Sequence, residues 1–142
     1  MGIFTQDQLD KKKSQLNAIY KRINEIPEDV VNPGDLARKI TLYTHAQGII
    51  GALYSQSIYE HGHAKVVLKH QKMKLQDSFV GTIKAKEAYS EIKTYDLQEK
   101  EVESRAITKR WEAAYNQTEQ LANALKKELD ILFEDFKAGG RG

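Results

Sequence analysis

The chain has 142 residues, of which 40% are hydrophobic and 30% charged, and its formal net charge is +2. This length predicts one domain over 1–142 with a modest core, and so small a net charge does not by itself indicate nucleic-acid binding. No cysteine is present, which excludes disulfides and thiolate metal sites.

No apolar run reaches the length of about 18 residues that a membrane-spanning helix needs. The opening residues, MGIFTQ, lack the basic segment and apolar run of a secretory signal. We therefore expect no membrane partner and a cytoplasmic protein.

The first predicted helix covers residues 5–26. Thr5 and Gln8 have the spacing of a capping box, in which each side chain pairs with a free backbone N–H group. Apolar residues then recur at helical spacing, until Pro27 and the turn signal Pro33-Gly34 interrupt the pattern.

The second predicted helix covers residues 35–79. Its apolar stripe is interrupted by glycines, each of which costs about 1 kcal/mol relative to alanine in a helix interior. Gly62 is the expected position of a kink or break, whereas Gly48 and Gly51 could permit a close helix contact. Residues 81–94 are ambiguous: apolar and lysine residues alternate over 83–86 as in a short strand, but the many helix formers favour a turn followed by a short helix.

The last predicted helix covers residues 95–137. Two helices of some forty residues would each be about 60 Å long. We therefore predict an all-α fold, an elongated antiparallel hairpin of long helices with the N-terminal helix beside it. Its exposed apolar faces would favour assembly into an oligomer.

The predicted assembly residues lie on the last helix: Trp111, Leu121, Leu125, Leu129, Leu132, Phe133 and Phe136. Base stacking by Trp111 is a weaker alternative, since a large aromatic residue on an apolar stripe usually packs.

Charge is distributed unevenly along the chain. Residues 61–76 contain four lysines and no acid, whereas residues 96–136 contain six basic and ten acidic side chains. Lys65, Lys69 and Lys72 follow at i, i+4 and i+7, which places them on one face of a helix. Such a row could bind the phosphates of a single nucleic-acid strand. Alternatively, it is a solvated face that pairs with the acidic last helix.

Further residues could contribute to the same interface. Lys74 adds a fourth positive charge to this segment, and His70 could offer a stacking face, as could Tyr54 and Tyr59. The predicted DNA-binding residues are therefore Lys65, Lys69, His70, Lys72 and Lys74.

Catalysis has little support in the sequence. No nucleophile elbow or phosphate-binding glycine loop is present. His61 and His63 are two residues apart and so point to different faces of a helix, which does not suit a zinc site. We expect neither an enzyme nor a cofactor.

The segment KVVLKHQK (65–72) resembles the KVALKAR-type motif of the UvsY recombination mediators of T-even-like phages. Leu42-Tyr43 lies at the same distance before the motif as a Leu-Tyr pair in that family. Trp111 followed by LANALKKELDILFEDFKAG is similar to the family's C-terminal helix. The resemblance covers about residues 40–80 and 95–139.

The resemblance implies a small, helical, ring-forming protein, and the cytoplasm of a bacterial host. Family members bind single-stranded DNA, engage the single-strand-binding protein and help to load a RecA-type recombinase. Carried over, Lys65 and Lys69 match the family's DNA contacts, and the C-terminal helix would mediate oligomerisation. The family's arginine falls on Gln71; Lys72 could replace its charge but not its planar fork.

Three hypotheses follow, from different functional classes. The first is a recombination mediator on single-stranded DNA, and the second is a helical scaffold or adaptor whose lysines pair with its own acids. A histidine-metal hydrolase ranks far below both. Salt-sensitive DNA binding that depends on the lysines separates the first from the second, and a metal analysis tests the third.

Overall fold

The computed structural model describes residues 2–29 and 32–140. Four α-helices follow one another in this part of the chain, namely α1 (Gln6–Glu25), α2 (Pro33–Ser78), α3 (Ile83–Lys93) and α4 (Tyr95–Gly140). The described residues contain no strand, so the prediction of an all-α fold is confirmed. None of these helices is long and apolar enough to cross a membrane.

Helix α1 begins at a complete capping box. The Gln8 backbone N–H donates to Thr5 Oγ1 at 3.2 Å, and the Thr5 N–H donates to Gln8 Oε1 at 2.9 Å. The predicted capping box is therefore confirmed. The helix ends at Glu25, with Ile26 already extended, because a residue before proline is disfavoured in the helical region.

Helix α2 begins two residues earlier than predicted, because Pro33-Gly34 forms its first turn and is not a separate loop. The Asn32 side chain accepts from the Gly34 N–H at 2.8 Å, and its backbone carbonyl accepts from the Leu36 N–H at 3.0 Å. Asn32 is therefore the N-cap, and Pro33 takes the first helical position, where its missing N–H group costs nothing.

Helix α2 also continues without interruption through Gly62, where the sequence suggested a kink or break. A Cβ atom added at Gly62 would meet nothing within 4 Å. One glycine costs a helix about 1 kcal/mol, which is less than the packing on either side of it can supply.

Helix α3 confirms the predicted turn and short helix in residues 81–94. Thr82 is its N-cap and accepts from the Ala85 N–H at 3.2 Å. The chain passes from α3 into α4 through the single residue Thr94, which is fully buried. Helix α4 extends to Gly140, three residues beyond the predicted end.

The chain divides into two compact units, and both long helices contribute to each. The prediction of one domain stays a prediction. Unit 2 comprises residues 4–54 and 111–142, of which the last two lie outside the described residues. Its core joins α1 to the first half of α2 through Leu9, Leu16, Ile19, Ile23, Ala46, Ile49, Ile50 and Leu53.

A Cβ atom at Gly51 would lie 3.3 Å from the Tyr115 ring, whereas one at Gly48 would meet nothing within 4 Å. The expected close helix contact therefore holds for Gly51 and not for Gly48.

Among the described residues, unit 1 comprises residues 55–110 together with residues 2 and 3. Here α2 and α4 run antiparallel, since Ser57 contacts Thr108 and His61 contacts Glu101. Helix α3 packs on the end of α2, where Gln76 Nε2 donates to Ser90 Oγ at 3.1 Å. Unit 1 contains the predicted lysine row.

Candidate nucleic-acid interface

The lysine row (Lys65, Lys69 and Lys72) lies on one face of α2 and lines a single groove of about 490 Å³. At 1.5 Å of rise per residue, its members are separated along the helix by about 6 Å and then about 4.5 Å. The spacing of the lysines in the sequence therefore predicts their grouping correctly.

The floor of this groove is apolar. Val66, Leu68 and Met73 line it between the lysines, with Gln76 and Glu101 at its edge. The exposed fractions of Val66 and Met73 are 66% and 55%. We call this feature the lysine groove; it combines a positively charged rim with accessible apolar surface.

The three lysines differ in their ion pairs. Lys72 Nζ lies 2.6 Å from Glu91 Oε1, and this hydrogen bond, together with the lysine charge, holds the pKa of Glu91 below its ordinary value. Lys65 and Lys69 have no carboxylate within 4.0 Å in the described part of the chain. Two of the three ammonium groups are thus available to an anion.

Glu101 is the one acidic side chain among the residues that line the groove. Its pKa is lowered chiefly by a hydrogen bond with His61, and the charges of Arg105 and Lys65 act in the same direction. Arg105 Nη2 lies 3.9 Å from Glu101 Oε2. Glu101 is therefore held by His61 and Arg105 and forms no direct ion pair with Lys65.

His70 and Lys74 are exposed, but neither lines the lysine groove. A helix turns by about 100° per residue, which places Lys74 roughly opposite Lys72. Of the five predicted DNA-binding residues, the structure thus brings three together and leaves these two outside the groove.

The other candidate stacking residues have protein partners. Tyr54 lies 6.5 Å from Tyr115, measured between ring centroids, and Tyr59 stacks on His63 at 6.3 Å. Within residues 2–29 and 32–140, no group of three or more His, Asp or Glu side chains could hold a metal ion.

The predicted assembly residues differ in exposure. Trp111 is half-buried and packs against the core of unit 2, whereas its predicted role in assembly stays a prediction. Leu125, Leu129 and Leu132 are half-buried, whereas the exposed fractions of Phe133 and Phe136 are 50% and 79%. Leu121 is also exposed.

Sequence reasoning missed Glu91 and Glu101 as partners of the basic segment. Glu91 is 19 residues from Lys72, and Glu101 is 40 residues from His61. No local pattern joins residues so far apart. The apolar floor of the groove could have been predicted from the sequence, because Val66 and Met73 lie next to the lysines in the sequence and share their helix face.

Comparison with known proteins adds no family: no protein-family model, curated protein or solved structure matches this chain.

Proposed function

We propose that this protein binds single-stranded DNA through the lysine groove. In this proposal it is a recombination mediator that promotes loading of a RecA-type recombinase onto strands covered by single-strand-binding protein. The observation that carries the proposal is the pair Lys65 and Lys69, two ammonium groups on one face of α2 that form no ion pair within residues 2–29 and 32–140. The resemblance of residues 65–72 to the UvsY motif supplies the biological role.

Two features of the groove suit a single strand. Ammonium groups about 6 Å apart along a helix can neutralise successive phosphates and release their counterions. Val66 and Met73 expose apolar surface between the lysines, against which unstacked bases can lie. Since the groove contacts backbone charge and base faces, binding should show little sequence preference.

The proposed mediator is a non-catalytic homo-oligomer with a ring-like arrangement. The antiparallel contacts of α2 with α4 in unit 1 are those of a helical hairpin, and exposed apolar residues such as Phe136 favour association between copies. Several copies on one strand would add weak individual contacts into firm binding through effective concentration. An organised strand would favour exchange of the single-strand-binding protein for the recombinase.

The deciding experiment is fluorescence anisotropy with a labelled single-stranded oligonucleotide over a salt series. We expect tight binding at low salt by the wild type. In Lys65→Ala/Lys69→Ala/Lys72→Ala, the log–log salt slope should shrink by about 0.7 for each phosphate that an engaged subunit no longer neutralises. Lys11→Ala/Lys13→Ala/Lys21→Ala, which removes three exposed charges from α1, is the matched control.

The two triple variants distinguish binding through the lysine groove from binding through general surface charge. Equally weakened binding in both variants would indicate that general surface charge binds the DNA. A positive result leads to a loading assay, in which the wild type should raise the DNA-dependent ATPase activity of a RecA-type recombinase on protein-covered strands. Lys65→Ala/Lys69→Ala/Lys72→Ala should fail to raise this ATPase activity.

A helical scaffold is the second candidate, and the Lys72–Glu91 pair favours it. This pair uses a lysine of the row for an internal contact between α2 and α3, as a structural role would require. Self-association of the wild type without any DNA binding at low salt would establish the scaffold and exclude the mediator.

A further inference from the structure

We infer that the outer face of α4 in unit 1 pairs with the same face of a second copy, the two helices running antiparallel. Five residues form this face, which we call the outer stripe: Tyr95, Glu99, Val102, Ala106 and Lys109. The inference rests on the homo-oligomer proposed above and names one surface through which its copies meet.

The outer stripe has the spacing of a coiled-coil seam. Its residues follow one another at alternate intervals of four and three, which keeps them on one side of the helix. All five are exposed, and the exposed fractions of Tyr95 and Val102 are 61% and 51%. Helix α4 contacts α2 through Glu101 and Thr108, which lie about 100° and 120° around the helix from Val102. The outer stripe is therefore a seam that no other helix in the described part of the chain covers.

The charges of the outer stripe decide the orientation of the pair. Glu99 lies three residues before Val102, and Lys109 lies three residues after Ala106. In an antiparallel pair whose two-fold axis passes between Val102 and Ala106, these two residues contact each other across the copies. Glu99 of each copy then meets Lys109 of the other. A parallel pair would instead oppose Glu99 to Glu99 and Lys109 to Lys109, and such like-charge contacts are unfavourable.

The surface of α4 has a depression of about 370 Å³ where this charge pair would form. Its lining consists of Tyr95, Gln98, Glu99, Val102 and Glu103. A coiled coil places each seam side chain in a hole between four residues of the facing helix, and the first four of these residues surround the position that faces Lys109. The aliphatic stem of Lys109 would lie against Tyr95 and Val102, and its ammonium group would reach Glu99. The Tyr95 side chain hydrogen-bonds to Glu99, which raises the pKa of the phenol and keeps the carboxylate beside the depression.

The flanking charges favour the antiparallel pair on balance. Asp96 and Arg110 lie on one flank of the outer stripe, and each would meet the other residue of the second copy. Two like-charge contacts cross the axis, Glu103 with Glu103 and Arg105 with Arg105. Arg105, however, already lies 3.9 Å from a carboxylate oxygen of Glu101 in its own chain. Contacts between opposite charges, including the two from the outer stripe, therefore outnumber those between like charges.

This pairing leaves the lysine groove open. The groove is lined by α2 and reaches α4 only at Glu101, about 100° around that helix from Val102. Because the contact joins identical faces, it is isologous and closes on two copies. The dimer would thus present two lysine grooves to one strand. A larger ring would add a second contact, for which the exposed Phe136 at the end of α4 remains available.

The test is sedimentation velocity of the full-length chain over a concentration series, with charge-reversed variants. Glu99→Lys and Lys109→Glu each turn both attractive contacts of the outer stripe into like-charge contacts. We expect either substitution to weaken self-association about tenfold or more. Glu99→Lys/Lys109→Glu should regain it, because opposite charges again meet. Lys13→Glu and Glu25→Lys, at exposed positions on α1, are the matched controls and should associate as the wild type does.

Mixing the variants tests contact between copies and its orientation. Glu99→Lys and Lys109→Glu chains should associate with each other more tightly than either does with itself, because every stripe contact of the mixed pair joins opposite charges. The natural chain has no cysteine, so single introduced cysteines report on distance. A mixture of Val102→Cys and Ala106→Cys should form a disulfide between the two variants faster than either forms one alone. Preferential crosslinking of Val102→Cys to itself would indicate a parallel pair and overturn the inference.

The remaining outcomes separate this inference from the proposed function. Wild-type self-association that neither reversal weakens, or a loss that the double variant does not restore, would overturn the inference and leave the proposed oligomer standing. A wild type that stays monomeric would overturn both. Circular dichroism checks that each variant remains helical. Fluorescence anisotropy reports on the lysine groove separately, and Glu99→Lys/Lys109→Glu should keep the wild-type salt slope for single-stranded DNA.

Discussion

Lys72 Nζ lies 2.6 Å from Glu91 Oε1, so one member of the lysine row is already neutralised by α3. Gln98 Nε2 donates to the second oxygen of Glu91 at 3.0 Å and holds that carboxylate in place. A phosphate that entered the groove would therefore have to displace a carboxylate from Lys72, whereas Lys65 and Lys69 form no ion pair among the described residues. If the proposed DNA site is correct, Glu91 would compete with DNA for the groove.

Removal of this competitor should strengthen DNA binding. We expect Glu91→Gln to raise the affinity for a single-stranded oligonucleotide a few-fold at low salt. Because Lys72 becomes free to take a phosphate, the salt slope should steepen by about 0.7 per engaged subunit. Glu87→Gln is the control, since Glu87 is exposed on the same helix and its side chain has no ion pair in the described part of the chain. A gain of equal size in Glu87→Gln would indicate a general charge effect, and an unchanged slope in Glu91→Gln would remove Lys72 from the interface.

The His61–Glu101 contact should make stability depend on pH. The hydrogen bond with His61, with the charges of Arg105 and Lys65, holds the pKa of Glu101 below its ordinary value of 4.5. A carboxyl with a lowered pKa in the folded state stabilises the fold above its unfolded pKa. That contribution disappears as pH falls through the folded pKa. Glu101→Gln should therefore lower the urea midpoint at pH 7, and the difference from the wild type should vanish well below pH 4.5.

Glu103→Gln is the control for this measurement, because Glu103 is exposed on the same helix and has no ion pair in the described chain. A difference between Glu101→Gln and the wild type that stayed constant from pH 7 to pH 3 would assign the effect to packing. In that case the charge of Glu101 would not be the cause.

The helices were predictable from the sequence because their signals are local. The Thr5–Gln8 capping box and the i, i+4, i+7 spacing of the lysine row depend only on residues within two turns of each other. The role of Pro33-Gly34 was misjudged because Asn32 supplies a cap that converts a turn signal into a helix start. Gly62 does not break α2, because a single glycine weakens a long helix without ending it.

The internal partners of the lysine groove were not predictable. Whether Glu91 faces Lys72 depends on how residues 79–82 return the chain, and no propensity fixes that angle. The sequence analysis expected any acidic partner of the lysines on the last helix, whereas the direct ion pair comes from α3. The exclusion of Lys74 from the groove was in principle predictable, since its rotation about α2 follows from helix geometry alone.

Alanine substitution should change the free energy of unfolding differently at each of the glycines of α2. Gly48→Ala and Gly62→Ala each add a methyl group where nothing lies within 4 Å, and should stabilise the protein by about 0.5–1 kcal/mol through helix propensity. In Gly51→Ala the new Cβ would lie 3.3 Å from the Tyr115 ring. The ring must then move, and we expect this substitution to gain less than the other two or to destabilise. Urea unfolding at pH 7 compares all three, and equal gains at Gly51 and Gly48 would show that the ring accommodates the methyl group freely.

The fluorescence of the single tryptophan can distinguish a packing role of Trp111 from base stacking. Trp111 is half-buried against the core of unit 2 and does not line the lysine groove. Its emission should therefore shift to longer wavelength on unfolding in urea, while saturating single-stranded DNA should leave the emission of the folded protein nearly unchanged. Trp111→Phe should retain the affinity for DNA, because a phenyl ring keeps most of the packing. Quenching by DNA at low salt that reverses at high salt, with weaker binding by Trp111→Phe, would instead place a base against the indole ring.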